Sequence, residues 1–140
     1  MKKILLMLVA LIATSFSAMA EDIYIVAGSE ELCGTAWDCT DLNNKMTDNG
    51  DGTYSKTFTN VAAMNGYQFK VTKNGTEWYG DEAGNNITFN VTTACDVTIT
   101  FNATTFKSTV TGSGVQAYVV NVEKVIGVGN GVGAWLNDAA

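Results

Sequence analysis

The sequence predicts an all-β protein, a single antiparallel β-sandwich of about seven strands. Three observations carry this. From Ile23 onward the apolar residues recur at every second position, the spacing that gives a strand one buried and one wet face. Clusters of Asn, Asp and Gly separate these runs, as in "DNGDGTY" and at Asn74-Gly75. No stretch after the first twenty residues shows the 3.6-residue rhythm of an amphipathic helix.

The elements follow in chain order. Strands are predicted near 23–28, 54–61, 66–73, 77–79, 86–92, 95–102 and 105–111. In "YQFKVTK" Tyr67, Phe69 and Val71 alternate with Gln68, Lys70 and Thr72. In "NITFNV" Ile87, Phe89 and Val91 alternate with Thr88 and Asn90, and in "CDVTITFN" Val97, Ile99 and Phe101 alternate with threonines and Asn102. Phe69, Val71, Phe89, Val97, Ile99 and Phe101 are therefore the predicted core, and the Thr-rich opposite faces suit a pleated, solvated surface. Asn74-Gly75 predicts a two-residue hairpin between the third and fourth strands. Residues 36–47 read as a long irregular loop holding at most one helical turn.

The chain opens with "MKKILLMLVALIATSFSAMAED": two lysines, a short apolar run and Ala18-Met19-Ala20. This is the pattern of a bacterial secretory signal peptide over residues 1–20, cleaved after Ala20. The apolar run is short for a membrane span, and no cysteine follows the cleavage site to carry a lipid anchor. The expected location is secreted, cell-surface or periplasmic, with no membrane insertion after cleavage. Loss of Lys2 and Lys3 takes the basic residues from 8 to 6 against 14 acidic ones, a net charge of −8, and there is no Arg. Nucleic acid, which needs Lys/Arg stripes, is not an expected partner.

Three cysteines allow at most one internal pair. Cys33 and Cys39 are close enough in sequence to bridge a short loop, while Cys95 in "ACDVTITF" reads as a small hydrophobe. With no His and no ligand-like spacing, no metal or cofactor is expected. "DNGDG" lacks the alternating oxygen ligands and closing Glu of a calcium loop and reads as a turn.

No nucleophile elbow or phosphate loop is present, and without His the commonest general base is missing. Asp38, Asp41, Asp48, Asp51, Asp81 and Glu82 all fall in turns or loops, where acids are ordinary, so no catalytic residue is predicted. The aromatics carry the functional reading. Trp78 and Tyr79 run into "GDEAGNN", and Trp37 lies in "TAWDCTD". Sugar rings stack their C–H faces on such rings and satisfy their hydroxyls with short polar groups. Trp37, Trp78 and Tyr79 are the candidate stacking residues, with Lys73, Asp81, Asn85 and Asn86 as polar partners. Each Trp has a plain alternative, plugging one end of the core.

"YIVAGSEELCGTAWD", "NKMTDNGDGTYSKTFTNV", "YQFKVTKNGTEWYGDEAGNNITFNV" and "ACDVTITFNATTFKSTVTG" resemble the immunoglobulin-like, early-set β-sandwich accessory domains of pullulanases and related secreted starch-degrading proteins. They are also similar in plan to sandwich domains of outer-membrane starch-binding proteins. The resemblance covers about residues 23–112. It departs from the pattern at Cys33 and Cys39, where an aromatic and a proline are commoner. It implies a non-catalytic module that binds an α-glucan polysaccharide or positions neighbouring domains in a longer chain. The alternative is a structural spacer or interaction domain in a tandem-repeat protein. "VIGVGNGVGAWLNDAA" near the end echoes "YIVAGSEELCGTAWD" near the start, so residues 115–140 are expected to begin a truncated second repeat or a linker beyond a sandwich of residues 21–114.

Overall fold

A computed structural model describes residues 20–118. Among the described residues there are nine strands: β1 (Tyr24–Gly28), β2 (Thr47–Asp48), β3 (Thr53–Val61), β4 (Met64–Lys73), β5 (Glu77–Tyr79), β6 (Ile87–Val91), β7 (Cys95–Asn102), β8 (Lys107–Thr111) and β9 (Val115–Ala117). One short helix, α1 (Glu30–Cys33), and one 3-10 turn (Leu42–Asn44) interrupt them. The first sheet runs β1-β4-β6-β9 with β5 also on β4, and the second runs β2-β3-β7-β8, every pairing antiparallel. This is the all-β sandwich that the alternation predicts. Its core joins Val26, Tyr67, Phe69, Val71, Phe89 and Val91 of one sheet to Phe58, Val97, Ile99 and Phe101 of the other. All six predicted core residues lie in that cluster, at most 2% exposed.

The period-two rule is broken twice, and both breaks are bulges held by a neighbouring strand. Phe58 and Val61 both face the core although three positions apart, because Asn60 (φ 50°) is an extra residue whose N–H donates to Asp96 Oδ1 at 2.8 Å. Between Met64 and Tyr67 the register shifts again at Gly66 (φ 83°), whose N–H donates to Asn90 Oδ1 at 2.9 Å. Each extra residue resets which face the following side chains occupy.

The Asn74-Gly75 hairpin forms as predicted. Both residues take positive φ (53° and 69°) and the Thr76 N–H closes onto Lys73 O at 3.1 Å. The loop after β1 is more ordered than its sequence suggests. Ser29 precedes α1, Gly34 ends it in the left-handed region (φ 76°), and the Trp37 N–H then donates to Gly28 O at 2.8 Å. Met46 N–H donates to Tyr24 O at 2.8 Å, so the chain returns along the edge of β1. Asn44, buried beneath it, donates to Cys33 O at 3.0 Å. The helical turn expected within 36–47 is the 3-10 turn, capped by Asp41, which accepts from the Asn43 N–H.

Two sequence expectations change, and the cysteine pairing that the sequence left open is absent among the described residues. Val115–Ala117 pairs with β6, so the sheet continues past Gly114, where the sequence put the end of the sandwich. β2 and α1 have no counterpart in the predicted strand set, being too short to show a periodicity. All three cysteines are unpaired: Cys33 is buried with its thiol on Val26 O, Cys39 faces Gly75 O, and half-buried Cys95 accepts from the Gly114 N–H. Burial pushes the Cys33 thiol up to about 11. The signal-peptide reading, and the tail after Tyr118, lie outside the described residues.

Truncating Phe69 to Ala should destabilise the fold by about 3–5 kcal/mol in chemical denaturation, since it removes a ring from the centre of the core. Gly28→Ala should cost about 1–3 kcal/mol, because an added Cβ would overlap Gln68 O and lie 2.9 Å from Phe69 Cβ.

Candidate functional site

β4 ends in the tight hairpin that returns as β5, placing Trp78 opposite Thr72 and Tyr79 opposite Val71. Successive residues of a strand point to opposite faces, so Tyr79 turns inward against Phe101 (centroids 5.2 Å apart) while Trp78 turns outward, 41% exposed. After Tyr79 the chain leaves the sheet through Gly80–Asn86 before re-entering as β6. Asp81 holds this excursion together. Its Oδ1 accepts from the Ala83 N–H at 2.9 Å and the Asn85 N–H at 2.8 Å, and its own N–H donates to Asn85 O at 2.9 Å. Those hydrogen bonds hold its carboxyl below the ordinary range, the Asn85 N–H contributing most. Gly80 is needed here: a Cβ would collide with Asn85 O.

The facing wall comes from the other sheet. β7 turns into β8 through Ala103–Phe106, where Asn102 Oδ1 accepts from the Thr104 and Thr105 N–H groups at 2.8 and 3.0 Å. Phe106 closes the turn, its N–H on Asn102 O at 2.8 Å, and takes φ 60°, a conformation L-residues other than Asn, Asp and Gly rarely adopt. The result is an aromatic ring held out at the surface, 51% exposed, and stacked on Tyr79 with centroids 5.0 Å apart and planes 2° from parallel.

Between the two walls lies a cleft of about 610 Å³. Tyr79 and Phe106 supply its stacked rings, Trp78 lines it at the end of β5, and Ile87, Ser108, Asp81, Glu82 and Lys107 complete the lining. Lys107 Nζ and Glu82 Oε2 pair across it at 2.7 Å, which lowers the Glu82 carboxyl and raises the Lys107 ammonium from their ordinary values. The Tyr79 hydroxyl donates to Glu77, and that bond, with burial, raises the phenol's pKa.

Of the seven residues singled out from the sequence, Trp78, Tyr79 and Asp81 line this cleft and the other four do not. Trp37, also at positive φ (54°), belongs to the loop tied to β1. Lys73 pairs with Asp22 at 3.2 Å, beside Asn74. Asn85 closes the Asp81 turn through its backbone, and Asn86 donates to Gln68 Oε1 at 3.2 Å. They share the sequence neighbourhood of the rings but serve turns and strand edges. Phe106 and Ser108 were missed. Their one local signal is a lone Phe among hydroxyl residues in "NATTFKST", which gives no hint that it meets Tyr79.

A family model described as "Pullulanase X25 domain" matches residues 24–108, more than half of the chain. Among solved structures, a pullulanase from Bacillus acidopullulyticus matches with a TM-score of 0.56 and 17% sequence identity, covering 66% of this chain and 12% of that one. At that identity the likeness speaks to the fold alone, and this chain corresponds to a small part of that protein's length. A search of curated proteins returns no match.

Asp22, Asp38, Asp41, Asp51, Asp81 and Glu82 all titrate below their ordinary values, mainly through hydrogen bonds to the charged carboxylate. The folded state thus binds protons less readily than the unfolded one. The resulting stability is complete above the ordinary carboxylate value of about 4 and is lost as pH falls below it. Denaturation midpoints should hold between pH 7 and 5 and fall between pH 5 and 3, and Asp81→Asn should make that acid loss smaller. Equal acid losses in the two proteins would mean Asp81 is not among the responsible groups.

Proposed function

The chain belongs to the pullulanase X25 domain family, and from that premise we propose that it is an exported, non-catalytic accessory module that binds α-glucan in the cleft between Gly80–Asn86 and the β7–β8 turn. The observation that carries this reading is the convergence of Trp78, Tyr79 and Phe106, from two different sheets, on one open surface. A core plug would be buried, whereas Trp78 and Phe106 are each about half exposed. Exposed rings of this kind offer apolar planes to the C–H faces of a pyranose, and the matched solved protein is named for a pullulan substrate, itself an α-glucan.

The carboxylates at the rim favour binding over hydrolysis. A glycosidic general acid needs a raised pKa so that it still holds its proton. Asp81 and Glu82 are both lowered, one by backbone N–H groups and the other by Lys107, so both are charged at neutral pH. Asp81 is in addition committed to the turn. The rival reading, a spacer, draws on the structural hydrogen bonds of Asn85 and Asn86 and the ion pair of Lys73.

A shallow stacking surface competes with water for each sugar hydroxyl, so a dissociation constant on the order of 0.1–1 mM is expected for a short α-1,4-glucan. In amylopectin affinity electrophoresis the full chain should be retarded. Trp78→Ala should lose that retardation while melting near the wild-type temperature, since its ring is outward-facing. Phe106→Gly should also lose retardation, with little change in melting, because relief of the positive φ offsets loss of the stack on Tyr79. An unretarded wild type would defeat the glucan reading and leave the spacer.

A further inference from the structure

β9 is shorter than the strand it pairs with. Its register sets Val115 opposite Val91, Gln116 opposite Asn90 and Ala117 opposite Phe89. β6 begins two residues earlier, at Ile87, which pairs with Phe69 of β4 on its other edge. On the β9 side nothing among the described residues is paired with Ile87. Continuing the register one place past Tyr118, the last described residue, brings Val119 there.

Backbone and side chains agree on this continuation. The Thr92 N–H donates to Gly114 O at 2.8 Å, so the polar groups of Thr92, Asn90 and Thr88 turn toward β9, those of Phe89 and Ile87 toward β4. Asn86 is in phase with Thr88, yet makes no backbone–backbone hydrogen bond among the described residues. Phe89 and Val91 are buried in the core and Ile87 packs against it, on the cleft wall. The positions facing them share that side of the sheet, and the sequence fills them with Val115, Ala117 and Val119, while Gln116 and Tyr118 fall on the other.

We propose that the β6 edge at Asn86–Ile87 is the docking surface for the chain's own next residues, Val119 and Val120, which lengthen β9. Val119 lays its side chain beside Ile87, closing that end of the cleft, and Val120 exchanges backbone hydrogen bonds with Asn86. This occupant has the advantage over any other because β9 already holds Tyr118 one residue away, so docking needs no second encounter. Pairing also removes an open strand edge that would otherwise template another chain. Along β4, Ile87 faces Phe69 and Tyr79 faces Val71, two positions further on, so Val119 stands clear of the Tyr79–Phe106 stack. The rings stay open to solvent, and the docking holds whether or not a sugar binds them.

NMR on the isotopically labelled full chain tests this. The expected result is a nuclear Overhauser contact between the Val119 and Ile87 methyl groups, with the Val120 amide exchanging about tenfold more slowly than that of Val119, whose N–H faces away from β6. Val119→Asp should move the Ile87 methyl resonances and lower the melting temperature by about 4 °C, whereas Val120→Asp, with its side chain on the outer face, should do neither. No Val119–Ile87 contact together with equal exchange at the two amides would overturn the docking, whatever amylopectin electrophoresis shows. A contact from Val120 to Ile87 would overturn it too, because the register would have slipped. So would a contact seen only between a labelled and an unlabelled chain, which would seat the segment of a second copy there.

Discussion

Strand β4 is shared among three partners, and the arrangement of the cleft depends on that sharing. One edge of β4 pairs with β1 from Phe69 to Lys73. The other edge is divided: residues up to Phe69 pair with β6, and Val71 to Lys73 pair with β5. Two successive strands therefore occupy the same edge in tandem, and the chain between them has to leave the sheet and come back. That excursion, Gly80 to Asn86, is the first wall of the cleft. Its backbone amides cannot join the ladder, and Asp81 supplies the acceptors that the sheet would otherwise have provided.

The second wall is fixed independently, by the β7–β8 register in the opposite sheet. Asn102 anchors the turn and Lys107 reopens the ladder, so Phe106 must complete the reversal at positive φ. Holding a phenylalanine there costs of the order of 1–3 kcal/mol, which the flanking ladder and the stack on Tyr79 offset. The Lys107–Glu82 pair links the walls, but both partners are largely exposed, and an exposed pair of this kind contributes little. The distance across the cleft is set by the packing of two sheets rather than by that ion pair. Tyr79 joins the two systems: it faces Phe101 in the core on one side and Phe106 at the surface on the other.

Inside the fold, two bulges reconcile a uniform core with an irregular sequence. Were the strands regular at Asn60 and Gly66, with no bulge there, the phase that buries Phe58 would not bury Val61, and the phase that brings Met64 toward the core would not bury Tyr67. In both cases the extra residue is secured by a side chain from the adjacent strand, Asp96 or Asn90, which explains two polar residues in otherwise ordinary strand positions. The interior thus stays contiguous although the sequence pattern slips.

The sequence by itself determined what depends on near neighbours. Alternation decided which faces of β4, β6 and β7 are buried, because the side-chain period of a strand is two whatever it pairs with. Asn74-Gly75 decided the hairpin, since those residues reach positive φ at little cost. Trp78, Tyr79 and Asp81 were legible as a group for the same reason: one strand end and one turn bring them together. The tertiary structure decided the rest. The short edge strands β2 and β9 exist through pairing with β3 and β6 and have little pattern of their own. Trp37, Lys73, Asn85 and Asn86 looked like site residues by type, yet backbone and ion-pair partners elsewhere claim them. Phe106 and Ser108 belong to the cleft only because β8 closes against the far sheet, a juxtaposition between residues distant in sequence. Periodicity reports which face of a strand is wet, whereas the partner across the gap is set by how two sheets pack, and that information is spread over the whole core.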